Sequence, residues 1–232
     1  MIDKIITPDP HLTNSAEYQA YIFDLDGTLL DTLENLASCY NRALSLHGYP
    51  THEVDAYRYF IGDGAVKCVE RCLPVHARTT CIIEKLLETQ RADYQQNWKE
   101  NTAPYPEILE LLAKLKSKNA RMAVLSNKDQ MFTEACVNYF FPAETFDQIV
   151  GFSAATPHKP NPAGAKKIAT TWDLPPTQIA FLGDTSMDIE TANKSGMTSV
   201  GVLWGFRPLA ELQDAGAKHI VESPHEILDL KP

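Results

Sequence analysis

The stretch "YIFDLDGTLLDT", residues 21–32, decides how the rest of the chain is read. It opens as an apolar run fit for burial, yet it carries Asp24 and Asp26 two positions apart, where unpaired charges are costly to hide. In an extended strand such positions project to one side, roughly 6.5–7 Å apart along the chain. Both carboxylates therefore address one space. A Gly-Thr bend follows at Gly27 and Thr28, so the pair stands at a strand's carboxyl end, where open α/β sheets hold their ligands. Two acids there suit a hard cation, and magnesium is commonly bound by one or two carboxylates with waters and phosphate oxygens. The same spacing also fits solvated strand-end acids, or the acidic pair that holds metal-bound sugar nucleotides in transferases. By itself the pair does not settle a function.

Working outward, Leu33, Leu36, Tyr40 and Leu44 recur at helical spacing between Asp31 and His47, and Gly48 follows as a stop. Further helices are predicted from about Ala65 to Leu73, ended by Pro74, and from about Thr80 to Trp98, where Ile83, Leu86, Leu87, Tyr94 and Trp98 share a face. After "TAPYP" the texture changes. The apolar runs "RMAVLS", "FDQIVG", "QIAFLGD", "TSVGVLW" and "HIVES" alternate with amphipathic segments, the pattern of parallel strands with crossover helices on both faces. The strand before Asp24 has no strand partner in the helical block, so it is assigned to this later sheet. The expected organisation is a lead-in at 1–18, an α/β core at 19–32 and 101–232, and an all-helical insertion at 33–100.

With 44% hydrophobic and 22% charged residues in 232, the composition is that of a soluble globular protein. A net charge of -9 disfavours nucleic acid and anionic membranes as partners, and no apolar stretch reaches the roughly 18–20 residues that span a bilayer. The opening "MIDKIITPDP" lacks the basic-then-apolar order of a secretory signal. Five cysteines, an odd number, then suggest reduced thiols and a cytoplasmic location. Cys68, Cys72, His76 and Cys81 are close enough in sequence to suggest zinc, but Val69 and Leu73 flank the first two, which read as small hydrophobes.

Three later stretches also end predicted strands. In "VLSNKD" the Ser126 hydroxyl, with the amides of Asn127 and the opening helix, can donate to phosphate oxygens; it also reads as a helix cap. "HKPNP" fixes Lys159 near a helix start, poised for an anion, although a single lysine is more often a surface residue. "FLGDTSMD" puts Asp184 and Asp188 four residues apart, on one face of a new helix, as metal-site acids or as caps at its positive end. Since all four stretches follow parallel strands, they should meet on one edge of the sheet. Lys128 and Arg207 follow strands on the same edge and can add positive potential there, although each taken alone reads as a surface charge; His158 adjoins Lys159 with no evident proton to move.

In this order, "DLDGTLLDT", Ser126, "KPNP" and "GDTSMD" resemble the four motifs of the haloacid dehalogenase-like phosphohydrolases, over about residues 20–231. The helical insertion resembles the small cap of phosphoglycolate-phosphatase-like members, and "FIGDGAVKCVERCL" resembles their substrate loop. The resemblance implies a Rossmann-like core with a helical cap and Mg2+-dependent hydrolysis of a small phosphorylated metabolite, phosphoglycolate first. Related alternatives are phosphatases for a nucleotide, sugar phosphate or pyrophosphate, or a phosphomutase using the same intermediate. It makes Asp24 the nucleophile and Asp26 the general acid and base. Magnesium would be held by the Asp24 carboxylate, the Asp26 carbonyl and Asp184, with Asp188 in support; Ser126, Asn127 and Lys159 would grip the phosphoryl group. Gly62, Asp63 and Gly64 would face the leaving group. Asp63 stands where the subgroup often has asparagine, so its charge either repels a substrate carboxylate or caps the helix near Ala65.

Overall fold

Alternation inside each short strand builds a sheet that is apolar on both faces. The computed structural model describes residues 17–232. Tyr21 and Phe23, Met122 and Val124, and Ala180 and Leu182 pack into one core, whereas Ala20 and Ile22, Ala123 and Leu125, and Ile179 and Phe181 pack into another. This is the period-two signature of parallel strands covered by helices on both sides.

The strands are β1 (Ala20–Phe23), β2 (Leu30–Asp31), β3 (Ala103–Pro104), β4 (Arg121–Asp129), β5 (Gln148–Phe152), β6 (Ile179–Gly183), β7 (Thr198–Val202) and β8 (His219–Val221). Six of them form one parallel sheet in the order β5-β4-β1-β6-β7-β8. The helices are α1 (Leu33–Leu46), α2 (Tyr57–Phe60), α3 (Ala65–Cys72), α4 (Thr80–Asn97), α5 (Ile108–Ser117), α6 (Gln130–Phe140), α7 (Ala163–Trp172), α8 (Ser186–Ser195) and α9 (Leu209–Asp214).

Because β1 sits between β4 and β6, the chain leaves it toward one side and later returns to the other. The carboxyl end of β1 is thus the switch point at which such sheets open a crevice. Between β1 and β4 runs the helical block α1–α4, with its own core of Leu36, Tyr40, Leu44, Tyr57, Val69 and Leu86. Phe132 of α6 and Phe206 of the loop after β7 join that core, which ties the block to the sheet body. The two points where the chain enters and leaves the block lie side by side as an antiparallel ribbon, with Leu30 opposite Pro104 and Asp31 opposite Ala103. Two-residue strands carry no periodicity, so this ribbon has no sequence signal.

Most of the expected lead-in lies outside the described residues. Its last residue, Tyr18, is buried in the main core and donates from its hydroxyl to the Lys231 carbonyl at 2.8 Å. Among the described residues no helix is long and apolar enough to cross a membrane. Cys68 and Cys72 are buried in the helical core while Cys81 is exposed, in keeping with small hydrophobes instead of a zinc set.

Candidate active site

The backbone first fixes where the acids go. Asp24 continues the sheet, its N–H donating to the Leu182 carbonyl at 2.9 Å, and the chain then turns sharply at Gly27 with φ +86°. A Cβ on Gly27 would lie 2.3 Å from Asp184 Oδ2, so only glycine lets the turn close over that carboxylate. Asp184 follows β6 and is fully buried, receiving hydrogen bonds from the Phe206 N–H at 2.8 Å and the Thr28 hydroxyl at 3.2 Å. Asp188 caps α8: its Oδ2 accepts from the Thr185 N–H and hydroxyl at 3.1 and 2.8 Å. Capping and a second task coexist in Asp188, because its Oδ1 also accepts from Lys159 Nζ at 2.6 Å.

Lys159 Nζ lies 2.7 Å from Asp24 Oδ1 as well, although that buried oxygen receives no directed hydrogen bond. The sequence's candidate anion-binding lysine is therefore buried, 5% exposed, between two carboxylates. Its backbone is clamped by Asn127, which accepts from the Lys159 N–H at 2.7 Å and donates to the Lys159 carbonyl at 3.2 Å. Burial pulls the Lys159 ammonium down, but Asp188 and Asp24 outweigh it and its pKa is raised. Burial raises the Asp24 carboxyl to about 7 against the pull of Lys159, and Asp188 and Asp26 add to the rise. Asp184 is raised well above the usual carboxylate range by burial, then by Asp188 and Asp24.

Asp24, Asp184 and Asp188 each offer an oxygen within 4.8 Å of the others. Three buried acids share one lysine, so the cluster is short of positive charge. Hard oxygen donors in that number and that deficit fit a small divalent cation such as magnesium.

The Asp26 carboxylate stands apart from this cluster. It is held by Lys128 Nζ at 2.6 and 2.7 Å, and that lysine lies against the Tyr94 ring at 5.1 Å. Lys128 read as a surface charge; instead its side chain is 8% exposed, because α4 folds over it. Burial depresses the Lys128 ammonium, and Asp26 and Tyr94 more than restore it, so its pKa is raised.

Above these residues lies a cavity of about 80 Å³, with Asp24, Asp26, Ser126, Asn127, Lys128 and Thr185 on its floor. Its roof comes from the helical block, including Tyr40, Ile61, Gly62, Gly64, Gln90 and Tyr94. Lys159, Asp184 and Asp188 touch Asp24 or its neighbours but do not line it. The roof is fastened to the floor by polar contacts. Asn127 Nδ2 donates to the Gly62 carbonyl at 2.8 Å, and Arg91 Nη2 pairs with Asp129 at 2.7 Å. Two arginines cross over each other: Arg58 donates to the Gly205 carbonyl at 3.0 Å, while Arg207 donates to the Arg58 carbonyl and, at 3.0 Å, to the Ile61 carbonyl. Arg207 is thus a buried latch, 9% exposed, and not the surface charge its sequence context suggested. His158 stacks on Phe152 at 3.7 Å and approaches Gly64, whose φ is +87° and whose Cβ would fall 2.6 Å from the imidazole.

Neither reading of Asp63 describes its position. Its carboxylate pairs with Arg71 of α3, Gly64 stands at the cap position of that helix with no side-chain cap, and the cavity is lined by Gly62 and Gly64 without Asp63. A lysine or arginine eight residues downstream on the next helix is the signal that could have suggested the pairing.

These motifs at one sheet edge match a known family. Residues 21–202 fit the sequence model of the haloacid dehalogenase-like hydrolases. The chain belongs to this family. Among its relatives are a phosphoglycolate phosphatase of Aquifex aeolicus, 32% identical over 185 residues that cover 80% of this chain and 84% of the relative. Another from Colwellia psychrerythraea is 28% identical, covering 91% and 96%. A haloacid dehalogenase-like hydrolase structure from Streptococcus pneumoniae superimposes with a TM-score of 0.83 at 25% identity, covering 91% of this chain and 97% of the other. A structure from Lactobacillus delbrueckii subsp. bulgaricus reaches 0.87 at 30%, covering 92% and 98%. This haloacid dehalogenase-like hydrolase is an enzyme that gathers Asp24, Lys159, Asp184 and Asp188 in one buried cluster, with Asp26 beside it on Lys128.

Proposed function

We propose that the chain is a magnesium-dependent phosphatase of small phosphomonoesters, with phosphoglycolate the first candidate substrate. One observation carries the reading: a buried, cation-deficient cluster of Asp24, Asp184 and Asp188 around Lys159, beneath a small cavity at the switch point of the sheet. The names of the Aquifex and Colwellia relatives support the choice of ester.

Asp24 attacks the phosphorus and carries the phosphoryl group as an aspartyl phosphate, while the ester oxygen leaves. Asp26, across the cavity floor, gives that oxygen its proton and then, as a carboxylate, takes one from the water that cleaves the acyl phosphate. Lys128, bonded to both oxygens of Asp26, orients it between these two proton transfers. The hydroxyl of Ser126 and the ammonium of Lys159 receive the phosphoryl oxygens, and Asn127 holds Lys159 in position. Asp24, the Asp26 carbonyl and Asp184 would hold the cation, with Asp188 steadying Lys159; bound there, magnesium supplies the positive charge that lets an anionic nucleophile approach an anionic ester. The helical block acts as a cap that keeps bulk water from the acyl phosphate.

The test is phosphate release from a panel of esters with magnesium, repeated in EDTA and with Asp24→Asn. Release should require the metal and fall by at least about a thousandfold in the variant, the scale on which loss of a nucleophile acts. Solvent oxygen should enter free phosphate, as a mutase would not allow. Activity retained by Asp24→Asn overturns the mechanism.

A further inference from the structure

Helix α4 presents Leu86, Leu87, Gln90 and Tyr94 as its buried stripe, with Leu86, Gln90 and Tyr94 spaced four apart. Three of these positions are filled as the helix's packing demands. Gln90 is the exception: it is 4% exposed, it lines the cavity, and its carboxamide has no hydrogen-bond partner among the described residues. The amide opens onto the cavity and is not sealed in the core, so a partner from outside the chain can reach it.

The other groups around it are committed. Arg91 pairs with Asp129, Lys128 with Asp26, and Asp63, which would have brought a negative charge, is bound to Arg71 away from the cavity. The remaining wall beside Gln90 is apolar, with Leu36, Ile61, Ala65 and Phe132. With about 80 Å³ between roof and floor, the space suits a compact leaving group.

The geometry points to Gln90 as the residue that selects the leaving group: its amide donates to an oxygen at the far end of a two- or three-carbon phosphomonoester, whose phosphoryl end lies on Asp24. This deepens, and rests on, the reading of the floor as a phosphoryl-transfer site. The amide is neutral, so it accepts a carboxylate or a hydroxyl at that end, and it discriminates against an ester that ends in a methyl group, which would leave it unpaired.

The full chain with magnesium is assayed on phosphoglycolate, 2-hydroxyethyl phosphate and ethyl phosphate, which differ only in what faces Gln90. Gln90→Leu, with Gln90→Met as a second and unbranched replacement, should leave the melting temperature near that of the unsubstituted chain, since no hydrogen bond within the described residues is lost. In both variants the preference in kcat/KM for the oxygen-bearing esters over ethyl phosphate should shrink about tenfold, the scale of one hydrogen bond to a charged or polar group. A loss confined to phosphoglycolate identifies the carboxylate as the natural partner, and one confined to hydroxyethyl phosphate the hydroxyl. An unaltered preference, or an equal fall for all three esters, overturns the assignment. Should the wild type hydrolyse none of them, the hydrolytic reading is what fails. Calorimetric binding of phosphoglycolate and ethyl phosphate to Asp24→Asn and to Asp24→Asn/Gln90→Leu then reads the contact alone. A tenfold narrowing of the affinity ratio sustains it; an equal ratio, or no binding, overturns it.

Discussion

At the cavity floor and just beneath it Asp24, Asp26 and Asp188 each have a lysine nitrogen within 2.7 Å, whereas the roof meets the same space mainly with apolar and aromatic side chains, two glycines, the Gln90 amide and Arg91, which is paired with Asp129. The floor is held together by charge and the roof by packing and by donors to backbone carbonyls. Under the proposed reaction this divides the labour: a floor of fixed charge serves any phosphoryl group, and the roof is what distinguishes one ester from another.

The comparison breaks most severely if Lys159 can be removed cheaply. Lys159→Ala strips the common partner from Asp24 and Asp188, and losing one member of a buried ion pair costs about 3–5 kcal/mol. Denaturant unfolding in EDTA should give a loss of that size, and magnesium should recover part of it. A loss under about 1 kcal/mol would mean that the floor does not depend on its charge pairs.

A smaller effect is expected from the roof's fastening. Arg207→Met abandons the carbonyls of Arg58 and Ile61, and leaving a buried acceptor unpaired costs about 1–3 kcal/mol. Steady-state kinetics should show KM rising about tenfold, as the loop carrying Gly62 loosens, with kcat changing less. An unchanged KM would detach Arg207 from substrate binding.

The raised Asp24 carboxyl sharpens the electrostatic half. Its pKa is about 7 folded against 3.8 ordinarily, so between these values the metal-free native state binds more protons than the unfolded chain. The contribution of Asp24 to stability therefore falls as pH rises from about 4 to 7, and Asp24→Asn or bound magnesium should shift the slope over that range in the positive direction. Melting temperatures across that range in EDTA, compared between the unsubstituted chain and Asp24→Asn, check it; a difference that grows in favour of the unsubstituted chain as pH rises contradicts the sign.

Least should follow from Asp63→Asn. Its carboxylate is half-buried against Arg71 and outside the cavity, so kcat/KM for phosphoglycolate should stay within about twofold, since such partly exposed pairs contribute about 0–1 kcal/mol. A severalfold gain for the carboxylated ester would return Asp63 to the substrate's side.

Legibility followed the range of the interactions involved. The strands around Asp24, Ser126 and Asp184 could be read because their alternation is local, and parallel connection then forces their ends to one edge. Lys128, Arg207 and Asp63 keep more than one reading in the sequence for the opposite reason: each has a partner, Asp26, the Arg58 and Ile61 carbonyls, or Arg71, that local pattern does not name. Gln90 left a trace, a polar residue in an otherwise apolar helical stripe, but only the cavity gives that trace a meaning.

By itself, then, the sequence determined the α/β core, the helical insertion and the meeting of its acids with Lys159, because strand periodicity and crossover handedness leave few other arrangements. Tertiary structure alone decided which lysine pairs with which acid, how the arginines pin the roof, and that Gln90 lines the cavity over Asp24. Those outcomes depend on how the helical block settles over the sheet, and the burial it creates is what turns ordinary charges and amides into strong or unsatisfied ones.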